Sequence, residues 1–154
     1  MPLQFLVGCS VSVINIMTHA LVTLVTIGIA RQAGLQHTSR PRLHLMTVMV
    51  ATALVLMIAH TVEIVVWSLA YAMVGAVPAD SDLLDFAFVN YTTLGYGDVT
   101  PVKQWRLIGP MTAMNGILMF GWSTAVLFEV LRKTIEHLAT VAPSETPFSS
   151  EDPD

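Results

Sequence analysis

The chain has one cysteine, Cys9, which excludes an internal disulfide framework, and no Cys/His spacing in it reads as a zinc site. Charge is equally scarce: 12% of the residues are Asp, Glu, Lys or Arg, about half the share usual in a soluble domain. With 7 basic residues against 11 acidic ones there is no cationic surface of the kind nucleic acid requires, so that class of partner is set aside. The formal charge of -4 comes mostly from acidic residues near Asp80 to Asp85 and in the last ten positions.

What fills the chain instead is apolar. Hydrophobic residues make up 54% of it and the mean hydropathy is +0.66, a composition that belongs in a bilayer. At 154 residues it is expected to form one small domain, so a large regulatory module would come from a partner chain. Leu6-Val7-Gly8-Cys9 looks faintly like a lipoprotein cleavage box. Met1 to Val7 has room for neither the basic region nor the apolar core of about 7–15 residues that such a signal needs, so the first apolar stretch is expected to stay as a membrane helix.

Three stretches are long enough to cross. Leu3 to Ala30 contains no Asp, Glu, Lys or Arg and exceeds the ~20 residues a helix needs to span. Leu43 to Val77 and Leu107 to Leu131 exceed that length too, with one acidic residue each, Glu63 and Glu129. Arg31, Arg40 and Arg42 cluster between the first two, and Arg132 and Lys133 follow the third. Basic residues favour the cytoplasmic side, which places the N-terminus outside and the C-terminus in the cytoplasm. Between the second and third stretches, Leu83 to Thr92 is apolar enough to enter the membrane, but about ten residues rise only ~15 Å, half the hydrocarbon thickness. The segment must turn back. Asp80, Ser81 or Asp82 can cap such a half-helix at its positive end. Non-helical backbone at that depth is tolerated only where it is buried in protein or lines water, so the loop predicts a pore on the outer face.

The half-helix runs into Thr92-Thr93-Leu94-Gly95-Tyr96-Gly97-Asp98. A pore selective for potassium must replace the ion's hydration shell with a stack of oxygens, and backbone carbonyls serve if alternate residues adopt conformations that L-residues resist. Gly95 and Gly97 adopt them at little cost. Thr93, Leu94, Gly95 and Tyr96 would then supply the ion-binding carbonyls, with Thr92 and Asp98 flanking them as support. The run resembles the selectivity filter of potassium channels, with Leu94 where the common form has Val. The similarity covers about Leu83 to Arg132 and extends into the third span through Met114-Asn115-Gly116-Ile117 and Phe120-Gly121-Trp122-Ser123-Thr124-Ala125. It implies a gating hinge at Gly116 and a cavity and gate lined by Ile117, Phe120, Thr124, Ala125 and Phe128. The alternative for Gly116 and Gly121 is close helix packing. One departure stands out: where relatives carry Trp or Glu on the half-helix to brace the filter, this chain has Phe86 and Val89.

His60 and Glu63 lie three apart in the second span, and ionisable residues inside a membrane are candidates for function. Counting rise from the cytoplasmic end puts Glu63 about 28 Å up, beside the half-helix, where it could replace the missing brace through Tyr91 or Asn90. A His-Glu hydrogen bond that only locks helices together and a pH sensor built on His60 are the other readings. In the first span Asn15, His19, Thr23 and Thr26 form a polar stripe expected to pack on the second. Trp67, Tyr71 and Trp105 read as packing or interface aromatics.

These readings combine into an all-α membrane protein with three transmembrane helices, a re-entrant pore helix and a filter, four copies surrounding one pore. The divisions are residues 1–31 for an extra N-terminal helix and 43–133 for the pore domain. Within the latter lie an outer helix 43–77, a pore helix 83–92, a filter 93–98 and an inner helix 106–133; residues 138–154 form a disordered cytoplasmic tail. The resemblance implies a non-enzymatic, potassium-selective channel subunit in the cell membrane, with potassium ions in the filter, no organic cofactor, and gating left to pH, lipid, tension or a regulatory partner. A weakly selective cation channel and a non-conducting accessory subunit share the topology. No span carries regularly spaced Arg or Lys, so no voltage sensor of the usual kind is expected.

Overall fold

The computed structural model describes residues 2–34 and 40–141. They form four helices, α1 Pro2–Gly34, α2 Pro41–Val74, α3 Leu83–Tyr91 and α4 Ile108–Val141, with one 3-10 turn at Lys103–Trp105 before the last. Three of the described helices, α1, α2 and α4, are long and apolar enough to cross a membrane.

The ends of these helices follow from single residues. Pro41 opens α2, where its missing N–H costs nothing and its fixed φ suits a first turn. Gly75 closes the same helix in the left-handed conformation (φ 61°), and the Ala76 amide returns to the Tyr71 carbonyl at 3.0 Å. The outer helix therefore stops at Val74, short of the 77 expected from hydropathy, because Gly75 ends it while the apolar run continues. Before α4, Trp105 is buried in the 3-10 turn, and Pro110 falls in the first turn of the helix, where no backbone bond is lost. At the other end α4 runs through residues 138–141, where composition predicts the tail. Nothing in Ala139-Thr140-Val141 breaks a helix, and the first breaker is Pro143. The rest of that tail lies outside the described residues.

Side-chain bonds fix how the helices lie. Gln4 Oε1 accepts from the Leu107 amide at 3.0 Å, and Asn15 Nδ2 donates to Asn115 Oδ1 at 3.1 Å, so α1 and α4 run parallel. Asn15 also donates to the Glu63 carbonyl at 3.2 Å, and Trp67 Nε1 donates to Asn115 Oδ1 at 3.0 Å, which sets α2 antiparallel to both. The short α3 packs against α2 and α4 through Phe86, Ala87 and Tyr91, beside the buried Trp67 and Tyr71. Tyr71 donates to Thr112 Oγ1 at 2.5 Å, and Thr112 passes its own hydrogen to the Ile108 carbonyl at 2.9 Å. Trp67, Tyr71 and Trp105 are thus interior packing residues. A second, smaller core of Leu56, Val126 and Val130 joins α2 to α4 further along.

Candidate functional site

The site is built where α3 ends. Its first turn is capped by Asp82, whose Oδ1 accepts from the Leu84 and Asp85 amides at 2.9 and 3.1 Å. Of the three capping candidates in the sequence, Asp82 is the one that serves. Asp82→Ala is expected to cost about 1 kcal/mol, read as a lower melting temperature of the purified protein, because two amides lose their acceptor. At the other end Thr92 donates its hydroxyl to the Phe88 carbonyl at 2.7 Å. The Thr93 amide then bonds Asn90 O at 3.0 Å, and those of Leu94 and Gly95 share Val89 O at 2.9 and 3.3 Å. The free carbonyls of α3 therefore hold the amides of the next segment.

That segment has an alternating backbone. Gly95 and Gly97 have φ of 63° and 80°, and Thr93, a β-branched residue, has φ 61°. The left-handed region is unfavourable for any residue with a Cβ and most unusual for a β-branched one, with a cost of about 1–3 kcal/mol. Among the described residues, no hydrogen bond takes up the carbonyl oxygens of Thr93, Leu94, Gly95 or Tyr96. Leu94 and Tyr96 side chains are exposed in the single chain. Asp98 Oδ1 accepts from the adjacent Val99 amide at 3.0 Å and makes no contact with Glu63.

Behind α3 lies a buried polar cluster drawn from all four helices. Glu63 Oε1 meets His19 Nδ1 at 2.8 Å, and its Oε2 accepts from the Tyr91 hydroxyl. His60 Nδ1 lies 3.0 Å from the Tyr91 oxygen and 3.4 Å from Glu63 Oε2, while its Nε2 lies 2.9 Å from Ser123 Oγ. Ser123 Oγ also meets His19 Nε2 at 3.2 Å. Glu63 thus reaches Tyr91, one of the two partners its depth allowed; Asn90 instead donates its side chain to Phe86 O at 2.8 Å. The polar stripe of α1 divides. Asn15 and His19 are engaged, whereas the hydroxyls of Thr23 and Thr26 are buried without a partner. The sequence did not single out Ser123 as a partner for the histidines, because a serine in a span carries no sign of which helix it faces.

On α4 the two faces differ. Thr112, Asn115, Met119, Ser123, Val126 and Val130 are buried, at the 3-and-4 spacing of a packed stripe. Ile117, Phe120, Thr124, Ala125 and Phe128 lie on the exposed face of the single chain. Gly116 is buried against α3, where a Cβ would overlap the Tyr91 carbonyl oxygen and lie 2.9 Å from its carbon. At Gly121 a Cβ would meet nothing within 4 Å. Close packing therefore accounts for Gly116 within one chain, and α4 passes through it unbroken.

The ion channel family model matches residues 44–133, which take in α2, α3, the segment after it and most of α4. No curated protein and no solved structure matches the chain. The match covers more than half of the sequence and leaves α1 outside it. A short helix between two membrane-length helices, followed by an alternating backbone with unused carbonyls, is the arrangement over which this match falls, and the chain belongs to the ion channel family as a multi-pass membrane protein with a two-span pore module and an additional N-terminal helix.

Proposed function

We propose that four copies of this chain surround one pore and pass potassium ions selectively through rings of carbonyl oxygens from Thr93, Leu94, Gly95 and Tyr96, with the Thr93 hydroxyl forming the innermost ring. The observation that carries the reading is the alternation of left-handed φ at Thr93, Gly95 and Gly97, coupled to carbonyls that nothing in the chain consumes. Successive carbonyls in such a backbone can face one side, and one chain supplies too few oxygens to replace a hydration shell, so the ring needs copies. In this assembly α3 is the re-entrant pore helix, the exposed face of α4 with Ile117, Phe120, Thr124, Ala125 and Phe128 lines the cavity, and the N-terminus is outside. Glu63 and His60 brace the filter from behind through Tyr91, in place of side chains that Phe86 and Val89 do not offer. Thr92 and Asp98 fix the two ends of the filter.

The test is potassium against sodium flux from purified protein in liposomes, with barium as blocker and Gly95→Ala as control. An L side chain forced to φ near +60° costs about 1–2 kcal/mol per residue, and four subunits multiply it. Potassium flux is expected to be blocked by barium and to fall by at least about a hundredfold in the variant. Equal potassium and sodium flux would support a weakly selective cation channel instead. No flux from a folded tetramer at any pH would support an accessory subunit.

A further inference from the structure

Glu63, His19, Ser123, His60 and Tyr91 do more than touch: their hydrogen bonds close into a ring. Taken in that order, the contacts are 2.8 Å, 3.2 Å, 2.9 Å and 3.0 Å, and the Tyr91 hydroxyl returns to the second oxygen of Glu63. A ring of five contacts needs five hydrogens, one in each. With Glu63 ionised and both imidazoles neutral, His19, Ser123, His60 and Tyr91 hold one hydrogen each, so one contact is left with two lone pairs facing each other. In that state the ring carries a net negative charge. One further proton fills the last contact and brings the net charge to zero.

The surroundings supply no other compensation. The titratable groups facing the ring are its own members, His19 from α1, His60 and Glu63 from α2 and Tyr91 from α3, while α4 contributes the neutral Ser123. Among the described residues no Lys or Arg pairs with Glu63. Asn15 reaches Glu63 at its backbone carbonyl and not at its carboxylate, and the nearest rings, Trp122 at 5.5 Å from His19 and Phe120 at 4.7 Å from His60, are uncharged. His19, Glu63 and Tyr91 are fully buried in a membrane-spanning bundle, where an uncompensated charge or an unmatched polar contact is costly. His60 is 12% exposed beside Phe120, on the exposed face of α4, which makes it the point where a proton enters or leaves.

We propose that this ring is a binding site for a single exchangeable proton, whose occupancy holds the pore helix to the other three helices and so sets whether the filter conducts. The coupling to conduction rests on the channel reading above; the proton site does not. With the proton bound, at low pH, Tyr91 is tied to Glu63 and His60 together. As pH rises and the proton leaves, one contact in the ring is lost, a negative charge remains among the helices, and the hold on Tyr91 loosens. Flux therefore declines on the alkaline side.

The experiment uses the full chain in lipid. Nitrogen-15 histidine NMR and potassium flux are followed from about pH 5 to pH 9, the range in which imidazoles titrate. In the wild type the signals of His19 and His60 are expected to move together along one single-proton curve, and flux to fall toward a limiting slope of about tenfold per pH unit. Glu63→Gln supplies one amide hydrogen and one carbonyl acceptor, so every contact is filled with all five groups neutral. Its histidine signals should stay fixed, and its flux, at whatever level, should lose the pH dependence. Ser123→Ala opens the ring, and the two histidines should then titrate separately. Histidine signals that do not move in the wild type, or a Glu63→Gln protein that titrates as the wild type does, would overturn the site. A single-proton histidine curve in a protein that conducts at no pH would keep the proton site and remove the channel reading.

Discussion

Gly116→Ala is expected to lower the melting temperature of the purified protein sharply and to abolish flux, while Gly121→Ala leaves both close to wild type. The added Cβ at Gly116 would occupy the place of the Tyr91 carbonyl oxygen, 2.9 Å from its carbon and 3.2 Å from its ring. Overpacking costs about 1–3 kcal/mol when side chains can shift, and here the obstacle is backbone, so the cost lies at or above the top of that range. Alanine's better helix propensity recovers only about 1 kcal/mol of it. Moving α4 away from α3 would also pull Ser123 from His60 and strain the ring at Tyr91. At Gly121 the same change meets open space. A hinge role alone predicts a different pattern, in which Gly116→Ala alters gating and leaves the melt where it was; that result would reject the packing account.

The division between what could and could not be read beforehand follows the kind of force involved. The three spans were legible because crossing a bilayer requires length and apolarity, both of which are properties of the chain itself. Gly95 and Gly97 were legible because the chemistry of a carbonyl stack demands residues without a Cβ at alternate positions. Thr93 was not, because nothing in a threonine announces a left-handed φ, and it takes one only under the pull of its Asn90 bond and the bonds from Leu94 and Gly95 to Val89. Depth along α2 placed Glu63 beside Tyr91. Rotation about the helix axes was needed to bring His19 and Ser123 to the same point, and spacing within one helix does not fix its rotation against another. The end of α2 was misplaced for a similar reason: hydropathy continues through Ala76 and Val77, while a single glycine stops the helix.

His19→Ala is expected to destabilise the protein by about 3–5 kcal/mol, the usual cost of taking a partner from a buried charge. His19 and Glu63 are both fully buried at 2.8 Å, and the ring through Ser123 loses two of its contacts at once. Thr23→Ala and Thr26→Ala, on the same stripe of α1, remove hydroxyls that are buried without partners, so they should be neutral or slightly stabilising. A thermal melt of the three purified variants separates the cases, and equal shifts would mean that His19 contributes only its volume. The contrast bears on why this chain has a helix that its family's pore module does not include. A carboxylate placed behind α3 on α2 needs a partner inside the membrane, and α2, α3 and α4 provide His60, Tyr91 and a serine but leave one oxygen of Glu63 without a bond. The imidazole of α1 fills that position, and Asn15, one turn away, ties α1 to Asn115 and to the Glu63 backbone. The additional helix is thereby part of what makes a buried glutamate tolerable behind α3, and its removal is expected to act through Glu63: a Glu63→Gln background, which carries no charge to compensate, should reduce the cost of His19→Ala by at least about half.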